Sequence, residues 1–286
     1  MDVNILKLNE PNFPECLSVI NTPPQQIYWT GADPKEWLTK PKVAIVGSRK
    51  ATAYGRGVTT KLAKELAETG VVIISGLAYG IDVVAHQAAL AANGITVAVL
   101  PTGLDQIYPA AHANIGRQIL LHGSLITEYK QASPGFKANF IARNRIVSAL
   151  ADVLLITEAA VNSGSLHTAR FALEQGKTVM AIPGNINSPT SEGCNNLIKS
   201  GALPVTSIED VFFALKINPK DNKTKRAFSG SKHEQLVFEF IKEGVSAQED
   251  IAAASRLDGP ALASALTMLE LSGYIRPAGG GNWVLS

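Results

Sequence analysis

Two short stretches carry residues suited to holding an anion: GSRK, Gly47 to Lys50, and NSGS, Asn162 to Ser165. Gly47, Ser48, Ser163, Gly164 and Ser165 are small enough to let backbone N–H groups approach an oxyanion, and a following helix adds partial positive charge at its first turn. Arg49 contributes a planar fork of donors that can grip two phosphate oxygens at once. A third stretch, KANFIARNRI, supplies Lys137, Phe140, Arg143, Asn144 and Arg145. In a helix Lys137, Phe140 and Arg143 are successive neighbours on one face. Cation, ring and cation together suit a groove that tracks phosphates and stacks bases. The same residues admit a plainer reading, with Phe140 in the core and the arginines paired to Glu128 or Glu158.

Other chemistries find little support. The five histidines, His86, His112, His122, His167 and His233, include no H-E-x-x-H and no close pair flanked by carboxylates, so no metal is expected. No G-x-S-x-G elbow presents a serine nucleophile. Cys16 and Cys194 form no C-x-x-C and read as structural residues. The turn at Gly47 matches neither G-x-G-x-x-G nor G-x-x-x-x-G-K-[ST], and VVIISG closes on Ser75 and Gly76 without an acidic residue for a ribose hydroxyl. That argues against a dinucleotide. Asp82 reads as a helix N-cap, and His86 as part of a helix packed on the sheet. His167 is either a phosphate contact or a plain surface residue. No catalytic residue and no cofactor are expected.

These loops need a scaffold that brings them to one edge. Apolar runs recur as VAIVG (Val43 to Gly47), VVIIS (Val71 to Ser75), ITVAVL (Ile95 to Leu100), SLITEY (Ser124 to Tyr129), DVLLIT (Asp152 to Thr157) and TVMAI (Thr178 to Ile182). Most lack polar alternation, the pattern of parallel strands covered on both faces. Between them lie helical stretches such as VTTKLAKELAETG, VVAHQAALAANG and LHTARFALEQG, each closing on a glycine. The alternation predicts an α/β protein with a doubly wound, mainly parallel sheet. In such sheets ligands bind outside the carboxyl ends of the strands, where GSRK and NSGS fall.

The composition fits that scaffold. At 286 residues, with 46% hydrophobic and 17% charged, the chain has material for one large domain and a small one. No apolar run is long enough to span a bilayer and the N-terminus has no signal-peptide pattern, so a cytoplasmic protein with no membrane partner is expected. Charge is uneven along the chain. Residues 1–216 carry 18 basic and 16 acidic side chains, residues 217–231 carry 4 and 1, and residues 232–286 carry 4 and 7. The middle segment reads as a basic linker. The last reads as three short helices and a hairpin, YIRPAGGGNWVLS, in the order of a winged-helix domain.

Taken in order, FPECLSVINTPPQQIYWTG, KVAIVGSRKATAYG, SGLAYGIDVVAH, VAVLPTGLDQIYP, FIARNRI, EAAVNSGSLHTARFALEQGKTVMAIPG and EGCNNLIKSGALPV closely resemble the DNA-processing protein A (DprA/Smf) family over nearly the whole chain. The resemblance implies an extended Rossmann-like domain over residues 1–216, with a short lead segment at 1–40. It further implies binding of single-stranded DNA without strong sequence preference, a homodimer, and a recombination mediator that protects incoming strands and loads the RecA recombinase in natural transformation. Carried over by position, Gly47, Ser48, Arg49, Ser163, Gly164 and Ser165 form the phosphate pocket. Lys137 and Phe140 match the basic and base-contacting positions, and Arg143, Asn144 and Arg145 match the RNR signature. Asn144 is equally suited to bridging loops. Many relatives carry a further N-terminal helical domain, whose task is expected to be absent here or done elsewhere.

Leu197 and Ile198 are the candidate dimer contact, with packing on their own core as the alternative. The third tail helix, GPALASALTMLELSG, has no Lys or Arg, so the tail is expected to contact protein rather than DNA. The rival function is a nucleoside monophosphate phosphoribohydrolase of the Lonely Guy type, whose core this chain also resembles. Its PGGxGTxxE signature is missing: NSGSLHTARFALE lacks the paired glycines and the glutamate at the required spacing.

Overall fold

In the computed structural model, which describes residues 3–218 and 230–285, all six apolar runs form strands. They follow β1 (Asn4–Lys7) and β2 (Gln26–Gly31), and are β3 (Lys42–Val46), β4 (Val72–Ser75), β5 (Thr96–Val99), β6 (Ser124–Thr127), β7 (Val153–Ile156) and β8 (Thr178–Ala181). A two-residue β9 (Leu203–Pro204) completes the sheet, whose order is β1-β2-β6-β5-β4-β3-β7-β8-β9. Every pair from β6 to β9 is parallel; β1 and β2 are antiparallel additions on the β6 side. The lead segment thus extends the sheet.

The helices of this unit are α1 (Glu15–Ser18), α2 (Pro34–Trp37), α3 (Ala53–Glu68), α4 (Ile81–Ala91), α5 (Ala113–His122), α6 (Lys137–Leu150), α7 (Ser165–Glu174), α8 (Glu192–Lys199) and α9 (Ile208–Leu215). Strand alternation sorts their cores. Ala44 and Val46 face the cluster built with α6 and α7, whereas Val43 and Ile45 face the one built with α3, α4 and α9. Burial on both faces is why these strands read as unbroken apolar runs. The helix ends agree with the sequence in part: Gly70 and Gly176 take left-handed φ values of 82° and 68°, but after α4 that position belongs to Asn93, at 53°, and not to Gly94.

Doubly wound topology dictates where a ligand can sit. From β3 the chain runs outward through β4, β5 and β6, then returns to pair β7 on the other side of β3. The loops after β3 and β7 therefore diverge to opposite faces and leave a crevice at the carboxyl ends.

The chain divides into two compact units, Met1–Thr224 and Lys225–Ser286. The second contains α10 (Lys232–Lys242), α11 (Gln248–Ser255), α12 (Gly259–Leu271) and a hairpin of β10 (Ile275–Gly279) and β11 (Asn282–Leu285). Val237, Ile241, Ile251, Leu262, Leu266 and Leu269 form its core. Most of the basic linker, residues 219–229, lies outside the described residues. Among the described residues no helix is long and apolar enough to cross a membrane. Both cysteines are free, and burial raises both thiols, Cys194 to about 12.

His86 makes the larger unit sensitive to acid. The Thr96 hydroxyl donates to the Ile73 carbonyl, so it accepts from His86 Nδ1, 2.7 Å away. Nε2 is buried without a partner among the described residues. Burial first, then the charge of Arg143, lowers the pKa from 6.5 to about 3. Below pH 6.5 the unfolded chain binds a proton that the folded chain refuses until about pH 3. The stability held above this window is therefore lost as pH falls through it, by about 1.4 kcal/mol per pH unit for this group. Urea unfolding at several pH values should show this component, and His86→Gln should remove it; an unchanged pH slope in the variant would refute the assignment.

Candidate nucleic-acid interface

A cavity of about 750 Å³ opens at the carboxyl ends of β3 and β7. The β3 loop lines it with Gly47, Ser48 and Arg49, and the β7 loop with Ser163, Gly164 and Ser165. Lys137, Phe140, Arg143 and Asn144 of α6 also line it. Three separate sequence stretches thus meet at one rim.

The β3 loop holds its shape by spending its own donors. Ser48 N–H donates to the Glu158 carbonyl at 2.7 Å, and Lys50 N–H to Ser48 Oγ at 3.1 Å. Those two amides are committed to the loop and not to a ligand. The amides of Arg49 and Gly164 have no hydrogen-bond partner among the described residues, and that of Ser165 reaches only Ser163 Oγ at 3.4 Å. A Cβ at Gly164 would meet nothing within 4 Å, so the backbone there faces open space. Helices α6 and α7 both start at the cavity and neither has a side-chain cap; Asn139, Leu166 and His167 N–H donate to the carbonyls of Phe136, Ser163 and Gly164, and the positive end of each dipole lies toward the cavity.

Side-chain charge has the same sign. Arg49, Lys50, Lys137 and Arg143 line the cavity against one carboxylate, Asp82. Arg49 and Lys137 are exposed, whereas Arg143 is 3% exposed. The Arg143 guanidinium donates to the Gly76 carbonyl at 2.7 Å and to the Val99 carbonyl, joining the ends of β4 and β5 beneath the cavity. Burial lowers its pKa to about 10, opposed by the Asp82 charge. Burial raises the Asp82 carboxyl, opposed first by Arg143. Asp82 is not the helix N-cap expected from sequence: Gly80 holds that position, and Asp82, in the first turn of α4, accepts from Ala78 N–H at 3.4 Å. Gly80 is required there, because φ is 80° and a Cβ would strike the Ser48 carbonyl.

The arginines of RNR part company. Arg145 does not line the cavity; its guanidinium forms a two-pronged pair with Glu128, at 2.6 and 2.7 Å, and its Nε donates to the Thr22 carbonyl. The salt-bridge reading therefore describes Arg145, which the structure does not bring to the cavity with the other expected DNA contacts. Asn144 is half-buried and accepts from Arg143 Nε at 3.3 Å while lining the cavity. Phe140 is not in the core: it is half-buried at the cavity wall, with Arg49 5.5 Å from its ring centre. His167 is exposed and outside the lining. Leu197 and Ile198, on α8, are half-buried and pack against the core shared with α6 and α7.

Sequence reasoning missed Lys50, Asp82 and Tyr108 as lining residues. Lys50 and Tyr108 stand in strand-end loops, so position alone marked them; the approach of Tyr108 to Phe140, ring centres 5.1 Å apart, depends on a long-range contact.

Residues 4–216 match the family model described as DNA recombination-mediator protein A, and residues 222–281 match the DprA winged helix domain. Protein Smf of Escherichia coli K12 is 39% identical over 249 residues, which are 84% of this chain and 67% of that protein. Across four such relatives the chain spans between 54% and 67% of their length. DNA processing protein A of Streptococcus pneumoniae superposes with a TM-score of 0.70 at 39% identity, covering 74% of each chain. The Helicobacter pylori protein, whose structure gives insight into a single-stranded DNA binding mode, does so at 0.68 and 34%, covering 77% of this chain and 97% of that one. With both of its units matched, and the strand-end loops of the larger one gathered as that fold requires, the chain belongs to the DNA recombination-mediator protein A family, also named DprA or Smf.

Proposed function

We propose that the protein binds single-stranded DNA across the β3 and β7 loops and acts as a recombination mediator without covalent chemistry of its own. The observation that carries this is the cavity itself, where four cations face one carboxylate and a half-exposed ring stands beside Arg49. Phosphates would lie against Arg49, Lys137, the Gly164 amide and the α7 N-terminus, with a base against Phe140. A paired base cannot reach that ring, which gives preference for unpaired strands. The single-stranded DNA binding described for the Helicobacter pylori neighbour supports the reading.

Partners follow from the same reading. Two copies sharing one strand gain avidity, because the second contact becomes intramolecular; α8 with Leu197 and Ile198 is the candidate contact. Delivery of the bound strand to the RecA recombinase, in the cytoplasm during natural transformation, completes the proposal. The tail is assigned to protein contact, since α12 has no Lys or Arg and residues 232–286 carry 4 basic against 7 acidic side chains.

Three measurements test this reading. In fluorescence anisotropy with oligothymidylate over a salt series, Arg49→Ala should weaken binding and flatten the logarithmic slope by roughly 0.7 to 1 unit. Duplex DNA should compete poorly, and the oligonucleotide should be recovered uncut. Unchanged affinity and slope would take Arg49 out of the site. In sedimentation, Leu197→Glu should lower the mass of a dimer while the thermal transition persists; an unaltered mass counts against α8. The tail from Ser231 onward should leave duplex DNA unbound at physiological salt, and tight binding would overturn its assignment.

A further inference from the structure

Tyr79 and Tyr108 keep half of their surface in solvent, at 50% and 46%, although buried contacts fix the loops that carry them. In the loop after β4, Leu77 is fully buried with a left-handed φ of 59°, and its carbonyl accepts from His112 Nδ1 at 2.8 Å. The His112 ring in turn meets Tyr79 edge-on, with centres 4.8 Å apart. In the loop after β5, Thr102 Oγ1 donates to the Gln106 carbonyl at 2.6 Å, and the Tyr108 ring stands at 75° to Phe140. Tyr79, Tyr108, Phe140 and Arg49 surround one small hollow beside the main cavity. Among the described residues neither tyrosine hydroxyl has a hydrogen-bond partner. These anchored loops thus present half-exposed aromatic rings next to a cation, the composition of a surface on which successive unpaired bases stack.

The opposite flank has the wrong charge for a nucleic acid. There a cavity of about 480 Å³, reached past Tyr54, has Glu158 in its wall and no Lys or Arg. Glu158 is 2% exposed; its Oε2 accepts from Thr52 N–H at 2.8 Å and its Oε1 has no partner among the described residues, and no Lys or Arg in this wall offsets the carboxylate for an approaching phosphodiester.

We infer that a single strand held at Arg49 and Lys137 leaves the cavity over the β4 and β5 loops, with its next two bases stacked on Tyr108 and Tyr79. The inference rests on the single-strand reading above and adds the direction of the path and two base-binding residues. It makes no demand on base identity, since every base offers a π-face.

Affinities for oligothymidylates of about three to about ten nucleotides test it in the intact 286-residue chain. The unmodified protein should gain affinity with length until the aromatic track is filled. Tyr108→Leu and Tyr79→Leu should each lose roughly 5- to 150-fold of that gain, with the salt slope unchanged, because stacking neutralises no phosphate. Tyr108→Phe should bind like the parent, which separates the ring from the hydroxyl and from any folding defect. Tyr54→Leu should have no effect. If Arg49→Ala weakens binding while both leucine variants bind normally at every length, the track is wrong and the single-strand reading survives. If Tyr54→Leu alone removes the gain with length, the strand leaves on the other flank and the inference fails. If the unmodified protein binds no single strand, the underlying reading falls with it.

Discussion

The rim of the sheet depends on one buried cation. Arg143 reaches from α6 under the cavity and satisfies the carbonyls of Gly76 and Val99, which end two neighbouring strands. A guanidinium in that position offers several donors in a fixed fork, so it can bind two carbonyls at once and still donate to Asn144. Its charge is tolerable because Asp82 is also buried nearby and opposes the loss of the proton. Removing the side chain would leave two strand-end carbonyls and a carboxylate short of partners, at a cost of about 1 to 3 kcal/mol for each group left buried. Gly76 belongs to the same device, since a Cβ there would run into the guanidinium.

This arrangement divides labour between two kinds of positive charge. Arg143 is screened from water and fixed, so it sets the local potential without reaching outward. Arg49 and Lys137 are exposed and can follow a flexible ligand. Backbone dipoles add a third contribution, because α6 and α7 both begin at the cavity uncapped. A polyanion meeting this rim encounters fixed and adjustable groups together, and only the adjustable ones pay side-chain entropy on contact.

The sheet was legible because doubly buried parallel strands leave unbroken apolar runs, and the cavity because strand ends carry glycine and serine where a ligand must approach. Arg143 and Arg145 were not separable. They are the same residue type two positions apart on one helix, which points them to different sides, and their partners, Gly76 and Val99 against Glu128 and Thr22, are distant in sequence. The N-cap of α4 was misplaced for a similar reason. Asp82 is a good cap by type, but the close approach of Ser48 admits only glycine at the cap position and carries the carboxylate inward. The lead segment gave no strand pattern because β1 is largely exposed and β2 buries adjacent residues, so neither an apolar run nor clean alternation appears.

The far border of the sheet is only Leu203 and Pro204. Proline has no amide hydrogen, so this border cannot supply a regular ladder of hydrogen bonds to a strand from another molecule. Open-ended stacking of sheets edge to edge, the usual hazard of an uncovered strand, is thereby discouraged.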